Sequence, residues 1–552
     1  VLNLSSKETR LVHDGIYRYS YADGDQYFQW SPDSKWLLIE FMQYNRWNYD
    51  IGLIKASGEG DVINLSKSGY NNGRAKFGMK GEMIYWENDK YGYRSHGSWG
   101  SESDVRAIFL TEDAFQKFNL SKADYELWKE KKEDDKKEKE DEKDKKEKDE
   151  TDKIEDLKIE MEGLYDREKK LTIHSSFLSD FLIDENGENL YYLTRFEKGF
   201  DLWKTNFKEN ETKLLAKLGG TYSSLEFDKD EKHIFLNNKG SLMKISLSDG
   251  KPKPITFSSE MNLNEDAERA YMFEHAWRQF REKFYLKDLH GIDWEMYKKE
   301  YAKFLSHINN QRDFADLLSE MLGEANASHT GGRYFTSSPT NDKTAALGVF
   351  FDPDYKGDGL KIREIVDKSP LINEKDLVKT GVIIEKINGQ SIKAKDNYYK
   401  YLNRLEGKKS LISYYNPQTK KRWEEVVEPI SQSEEGQLLY ERWIKSREET
   451  VDKLSNGRLG YVHVRGMNSA SFRDVYEKAL GEQNTKEALI VDTRFNGGGW
   501  LHDDLATFLS GEQYMTFEPR GQKNMGGEPL GKWYKPSIVL ISESNYSDAH
   551  LF

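Results

Sequence analysis

Residues 488–499 read ALIVDTRFNGGG: a short apolar strand, a polar turn and three consecutive glycines. Four consecutive apolar residues, Ala488 to Val491, bounded by turn formers suit a strand buried on both faces. Working outward, Leu459 to Val464 (LGYVHV) and Ser537 to Ile541 (SIVLI) read as further apolar strands, and Ser469 to Leu480 between the first two has a helical pattern. Strands alternating with helices imply a mostly parallel sheet, whose sites gather in the loops at the strand ends. Glycines at such an end let backbone N–H groups approach a ligand closely, although a tight turn is the plainer reading of Gly497, Gly498 and Gly499 alone. No Gly-Lys-Ser/Thr follows, so the run is not a nucleotide loop.

The strand ending at Ile541 is followed by Ser544-Asn545-Tyr546-Ser547-Asp548-Ala549. A serine at a strand-to-helix turn can expose its hydroxyl while the next N–H points at the same reacting carbonyl, as nucleophile elbows do. Ser547 also reads as an ordinary helix N-cap, where Ser and Asp are favoured. His329, in Gly323 to Tyr334 (GEANASHTGGRY), stands where small residues break a helical pattern. A lone histidine is more often a surface residue than a base. The Gly-x-Ser-x-Gly of α/β-hydrolases is absent around Ser547.

Upstream of this α/β segment, residues 345–430 form a β-rich module. It opens with Leu347-Gly348-Val349-Phe350 and contains Gly381 to Ile392 (GVIIEKINGQSI). This looks like a PDZ domain, whose opening loop offers backbone amides to a peptide carboxylate and whose strand edge accepts an extended peptide. Before it, Glu265 to Leu289 sets Ala270, Phe273, Trp277, Phe280 and Phe284 at helical spacing. Trp294 to Leu305 and Arg312 to Leu322 continue the helical pattern.

The first half reads as β-structure in repeats. Phe28 to Ile39 (FQWSPDSKWLLI) places a strand, a Ser-Pro-Asp-Ser turn and a second strand in series, as in the inner hairpin of a propeller blade. Weaker copies are Lys76 to Trp86, Leu182 to Leu193 and Leu225 to Leu236, with outer strands expected within Asp50 to Leu65 and Asp201 to Leu215. An unrelated β-sandwich is the competing reading. One interval is interrupted by Lys129 to Lys153, almost wholly Lys, Glu and Asp, which has no apolar stripe to bury and is expected to be a solvated insertion.

Composition narrows the functions. With 83 Lys and Arg against 96 Asp and Glu and a net charge of −13, a mainly electrostatic nucleic-acid binder is disfavoured. The absence of cysteine removes disulfides, thiolate zinc sites and a cysteine nucleophile. No run approaches the roughly 20 apolar residues needed to cross a bilayer. The chain begins at Val1, so a bacterial periplasmic location is expected if a signal has been removed and a cytosolic one if not.

Taken in order, Asn326-Ala327-Ser328-His329, the Ile387-Asn388-Gly389 turn, Val491 to Gly499 and Ser547-Asp548 resemble the tricorn proteases, within the tail-specific, C-terminal processing (S41-type) serine peptidases. The repeats, Trp277 and Gly291-Ile292-Asp293-Trp294 are also tricorn-like, so the resemblance covers nearly the whole chain. It implies a multidomain fold: blades of a partial N-terminal β-propeller over 1–258 with the charged insertion near 122–158, a helical part of the peptidase core carrying the histidine over 259–340, the PDZ-like domain over 345–430, and an α/β core over 435–552 carrying the serine. By resemblance Ser547 is the nucleophile, His329 its base and Ser328 a residue orienting the imidazole. The oxyanion hole is made by the N–H groups of Gly498, with Gly497 as alternative, and Asp548. Glu518 is an acidic residue favouring basic substrate side chains. No metal or cofactor is implied. The substrate would be peptide or unfolded polypeptide, and the assembly a homo-oligomer, with a hexamer as the candidate size. The family's last catalytic glutamate is expected beyond Phe552, which would leave residues 1–552 truncated and inactive alone. The alternative is a non-catalytic propeller-plus-PDZ peptide-binding scaffold.

Overall fold

The computed structural model describes residues 1–552 except 21, 44–46, 96–100, 132–155, 222–223, 239, 337–341 and 373–376. Most of the charged run at 129–153 therefore lies outside the described residues. The chain divides into two compact units, Val1–Asn309 with Glu320–Asn326, and Asn310–Ser319 with Ala327–Phe552.

In the first unit, the described residues form four four-stranded antiparallel sheets, each with its strands in chain order. The four hairpins quoted above supply the first two strands of each. Phe28–Trp30 pairs with Trp36–Phe41, Asn72–Gly78 with Met83–Asn88, Phe177–Ile183 with Asn189–Arg195, and Ser224–Phe227 with His233–Asn238. The turn chemistry is local. Asp33 accepts the Ser31 hydroxyl at 2.5 Å and the Lys35 N–H at 3.0 Å, while Ser34 takes φ +60°. Leu38, Ile51, Leu53, Ile84, Trp86 and Ile108 pack in one apolar cluster drawing on the first two sheets.

The helix Glu265–Lys283 is capped by the Asn264 side chain and buries Phe273 and Trp277. Trp277 and Trp294 each donate the indole N–H to the other's backbone carbonyl at 3.1 Å. Two expectations fail. Ala270, placed on the buried stripe, is exposed, and Arg269 is buried instead, neutralised by Asp266 at 2.5 Å and Glu265 at 3.2 Å one turn earlier. The helix stops at Lys283 rather than near Leu289, because Phe284 turns to extended backbone (φ −62°, ψ 141°) and meets His290 edge-on at 5.0 Å.

In the second unit, the sheet of residues 349–427 runs in the order Val349–Phe351, Leu360–Ile365, Ile383–Ile387, Ser410–Tyr415, Arg422–Val427, with Gln390–Ser391 paired to Ile383–Ile387. A 24-residue helix, Gln432–Ser455, follows, its start fixed by a Ser431–Glu434 capping box. It leads into a three-stranded parallel sheet with Ala488–Asp492 central between Leu459–His463 and Ser537–Leu540. The helices Ser469–Leu480 and His502–Leu509 make the crossovers, and Phe472, Val475, Leu505 and Phe508 pack with Val462, Leu489 and Val491 of the strands. This order brings the loops after Asp492 and after Leu540 to neighbouring strand ends.

Candidate active site

Beneath the two loops lies a buried polar network. Asp492, fully buried, accepts the Tyr461 hydroxyl at 2.7 Å, the Arg494 backbone N–H at 3.0 Å and the Arg494 guanidinium at 2.5 and 2.9 Å. Burial alone would raise its pKa, but the Arg494 and Tyr461 bonds outweigh it and hold the carboxyl below its usual range. Behind it, His463 donates from Nε2 to the Arg494 carbonyl at 3.2 Å, which leaves Nδ1 to accept the Tyr440 hydroxyl at 2.8 Å. Burial lowers the His463 pKa, in keeping with this neutral tautomer.

The glycine loop is shaped by Asn496. Its Nδ2 donates to the Val464 carbonyl at 2.8 Å and its Oδ1 accepts the Gly498 N–H at 2.9 Å, an Asx turn closed two residues on. The second loop is tied to the first by Asn545 Nδ2 on Thr493 Oγ1 at 2.9 Å and by the Tyr546 N–H on the Asn496 carbonyl at 3.1 Å.

Ser547 occupies the N-cap position of the helix Asp548–Leu551, yet its side chain makes no capping bond. Its backbone sits at φ +53°, ψ −125°, a conformation rare for a side-chain-bearing residue. Its hydroxyl lies 2.9 Å from His329 Nε2, across 218 positions of sequence. His329 is itself at φ +61°, in a loop closed by paired bonds between Ser319 Oγ and the Gly332 main chain, both 2.8 Å. The two residues paired from sequence, Ser547 and His329, thus stand within hydrogen-bond distance, and no capping bond engages the serine hydroxyl.

The other expected residues are placed as follows. Ser328 lies near the Tyr546 hydroxyl and lowers its pKa, and among the described residues it has no hydrogen bond to the His329 ring. The buried Asp548 uses its carboxylate on the Leu501 N–H at 2.5 Å and on His502, which pins the turn while its own N–H has no hydrogen-bond partner among the described residues. Gly498, at φ +95°, lies against Ser547, since a Cβ there would be 2.8 Å from Ser547 Cβ and 3.1 Å from the Asp548 nitrogen. Its N–H is taken up by Asn496, whereas that of Gly497 has no partner among the described residues. Glu518 is exposed and accepts from Asn524 at 3.1 Å. Sequence reasoning assigned no role to Tyr546, Asn496, Asn545 or the Asp492–Arg494 pair. The Asn-Gly-Gly spacing is the signal that could have revealed the Asx turn.

Two family models match, the tricorn protease C1 domain over residues 265–323 and peptidase family S41 over residues 458–552. These two stretches are similar to domains of the tricorn proteases and of the S41 peptidases. Relatives of this tricorn-like chain include a protein described as a tricorn-like protease C-terminal subunit in Sulfurisphaera tokodaii, 26% identical over 72% of this chain and 48% of that protein. The tricorn protease of Thermoplasma acidophilum is 23% identical over 66% of this chain and 34% of its own length. The chain spans about half the length, or less, of the curated relatives it matches. A tricorn protease crystal structure superposes over 95% of this chain and 51% of the other at a TM-score of 0.72 and 16% identity, so the two share a fold. Among the described residues no helix is long and apolar enough to cross a membrane, and no group of three or more His, Cys, Asp or Glu is placed to hold a metal ion.

The Asp492 network carries a stability prediction. A carboxyl whose folded pKa is depressed stabilises the fold above its unfolded pKa of about 3.9, and that contribution is lost as pH falls through the folded value. Asp492→Asn leaves the Arg494 guanidinium without its charge partner and should destabilise the second unit by about 3 kcal/mol at pH 7. Denaturant melts from pH 2 to 7 should show the deficit shrinking on acidification; a deficit constant across that range contradicts the assignment.

Proposed function

We propose that this protein is a serine peptidase cleaving unfolded peptides through an acyl-enzyme on Ser547. One observation carries the reading: His329 Nε2 stands 2.9 Å from the Ser547 hydroxyl, which is held out of helix capping by a strained backbone. Serine is a weak nucleophile at its own pKa and needs such a base. Oγ attacks the scissile carbonyl carbon as His329 takes its proton. The proton then passes to the leaving amine, and water, deprotonated by the same imidazole, hydrolyses the ester.

The Asp548 N–H, beside the nucleophile and unbonded among the described residues, is the first donor to the oxyanion. The second comes from the glycine loop. Gly498 lies nearest Ser547 and would exchange its Asn496 acceptor for the oxyanion, and Gly497 offers an open N–H. Ser328 acts on His329 through Tyr546.

The four sheets within 1–258 are proposed as propeller blades that filter peptide, ahead of the helical part over 259–340. Residues 345–430 are proposed as a PDZ-like module that positions peptide before the α/β core of 435–552. The Gly348 N–H of the expected carboxylate loop donates to Glu435 at 3.1 Å, which supports that reading of the loop. Glu518 is the candidate acceptor of a basic substrate side chain, and the working assembly is proposed to be a homo-oligomer. A pure binding scaffold leaves the Ser547–His329 contact without a role.

The test is fluorophosphonate labelling of the natural full-length protein followed by peptide mapping. Modification at Ser547 is expected; labelling elsewhere, with equal labelling of Ser547→Ala, removes the assignment.

A further inference from the structure

The residue before the nucleophile is tied to the base more closely than the nucleophile is. The Tyr546 hydroxyl oxygen accepts the His329 backbone N–H at 2.7 Å, with Ser328 beside it. Its ring lies against the imidazole, with centroids 4.9 Å apart and planes inclined by 42°. Its own N–H is fixed on the Asn496 carbonyl at 3.1 Å, and its carbonyl accepts the Ala549 N–H at 3.2 Å. One residue therefore joins the base loop through its side chain and the glycine loop and the elbow through its backbone.

Three features make this more than a surface contact. First, His329 is held at φ +61°, a left-handed conformation that costs a residue with a Cβ about 1 kcal/mol and persists only where its surroundings impose it. The phenol oxygen accepts the N–H of that residue. Second, the Ser328 hydroxyl beside the phenol and the His329 N–H that donates to it favour the ionised form and lower the Tyr546 pKa, with Ser328 the larger cause. Third, Tyr546 is 44% exposed, so the burial of a core aromatic does not account for its place.

We propose that Tyr546 is a positioning residue that sets the distance and angle of the His329 imidazole relative to Ser547. The proposal rests on the serine-peptidase reading of the same site. Because Tyr546 and Ser547 are consecutive, the base is registered to the nucleophile through the elbow itself, and Ser328 acts on the imidazole by way of the phenol. Displacing a catalytic group by about 1 Å can cost on the order of 100-fold in rate, and one hydrogen bond is worth roughly a tenfold change, so the phenol is a sufficient lever.

The experiment compares Tyr546→Phe, Tyr546→Ala and Ser547→Ala in the natural full-length protein. The readouts are fluorophosphonate acylation rate, kcat and KM on an unfolded peptide, and melting temperature. Tyr546→Phe keeps the ring and loses the acceptor; kcat and the acylation rate should fall about tenfold with KM and melting temperature unchanged. Tyr546→Ala, which also loses the ring contact, should fall about 100-fold. Full activity in Tyr546→Phe overturns the proposal while leaving the peptidase reading intact, provided Ser547→Ala is dead. A rate loss that tracks a loss of melting temperature makes the residue structural and also overturns it. Hydrolysis that survives in Ser547→Ala removes the peptidase reading and this proposal with it.

Discussion

His329→Ala in the natural full-length protein should lower kcat for peptide hydrolysis by about a millionfold, and the rate of fluorophosphonate acylation should fall with it. Where nucleophile and base act as a unit, losing the base costs about as much as losing the nucleophile, and the remainder comes from binding and the oxyanion hole. The geometry sets the expectation here. The imidazole is the sole hydrogen-bond partner of the Ser547 hydroxyl among the described residues, so nothing else described is placed to take its proton. KM should hardly change, since the imidazole acts on the nucleophile rather than on the resting substrate. Ser328→Ala should cost far less, because Ser328 meets Tyr546 and not the ring. A His329→Ala variant that is acylated at the original rate would mean that another group serves as base, and the paired reading of these two loops would fail.

What was legible in the sequence and what was not follow from the range of the interactions involved. The four hairpins are short-range objects. A turn such as Ser31 to Ser34 is closed by its own side chains, so the strands on either side are announced within about a dozen residues. The parallel strands were legible as apolar runs for a similar reason. The pair Ser547 and His329 was named only through motif order, since no local pattern predicts a bond across 218 positions. Tyr546 escaped notice because its partner, the His329 N–H, lies on a distant loop whose backbone direction depends on a left-handed φ that histidine does not advertise. The acceptor of the Gly498 N–H was hidden for a different reason: glycine marks a close approach but does not say which acceptor the amide meets, and Asn496 is two residues away. The exposed Ala270 and buried Arg269 show the limit of periodicity, because local carboxylates make burial of a charge tolerable one position from the apolar stripe.

Gly498→Ala should reduce kcat by about a thousandfold while the protein remains folded. At φ +95° any side chain is strained, and the new Cβ would sit 2.7 Å from the Tyr546 carbonyl oxygen, 2.8 Å from Ser547 Cβ and 3.1 Å from the Asp548 nitrogen. Two of those neighbours are backbone atoms and the third is the carbon that bears the Ser547 hydroxyl, so relief must come from moving the glycine loop and the Ser547 turn apart. That movement would withdraw the proposed oxyanion donor, worth about 100- to 1000-fold, and swing the hydroxyl away from His329. The effect should fall on kcat more than on KM, because both losses are felt as charge develops on the oxygen. Gly497→Ala is the matched control. A Cβ there meets nothing within 4 Å, and the substitution retains the backbone N–H, so activity should stay within about threefold of the parent by the small cost of an unstrained surface change. Equal losses in the two variants would show that the loop is sensitive to any added carbon, and the close packing of Gly498 on the elbow would no longer explain why a glycine stands there. A large loss confined to Gly498→Ala, with acylation and hydrolysis falling together, ties the glycine run to the nucleophile as parts of one site.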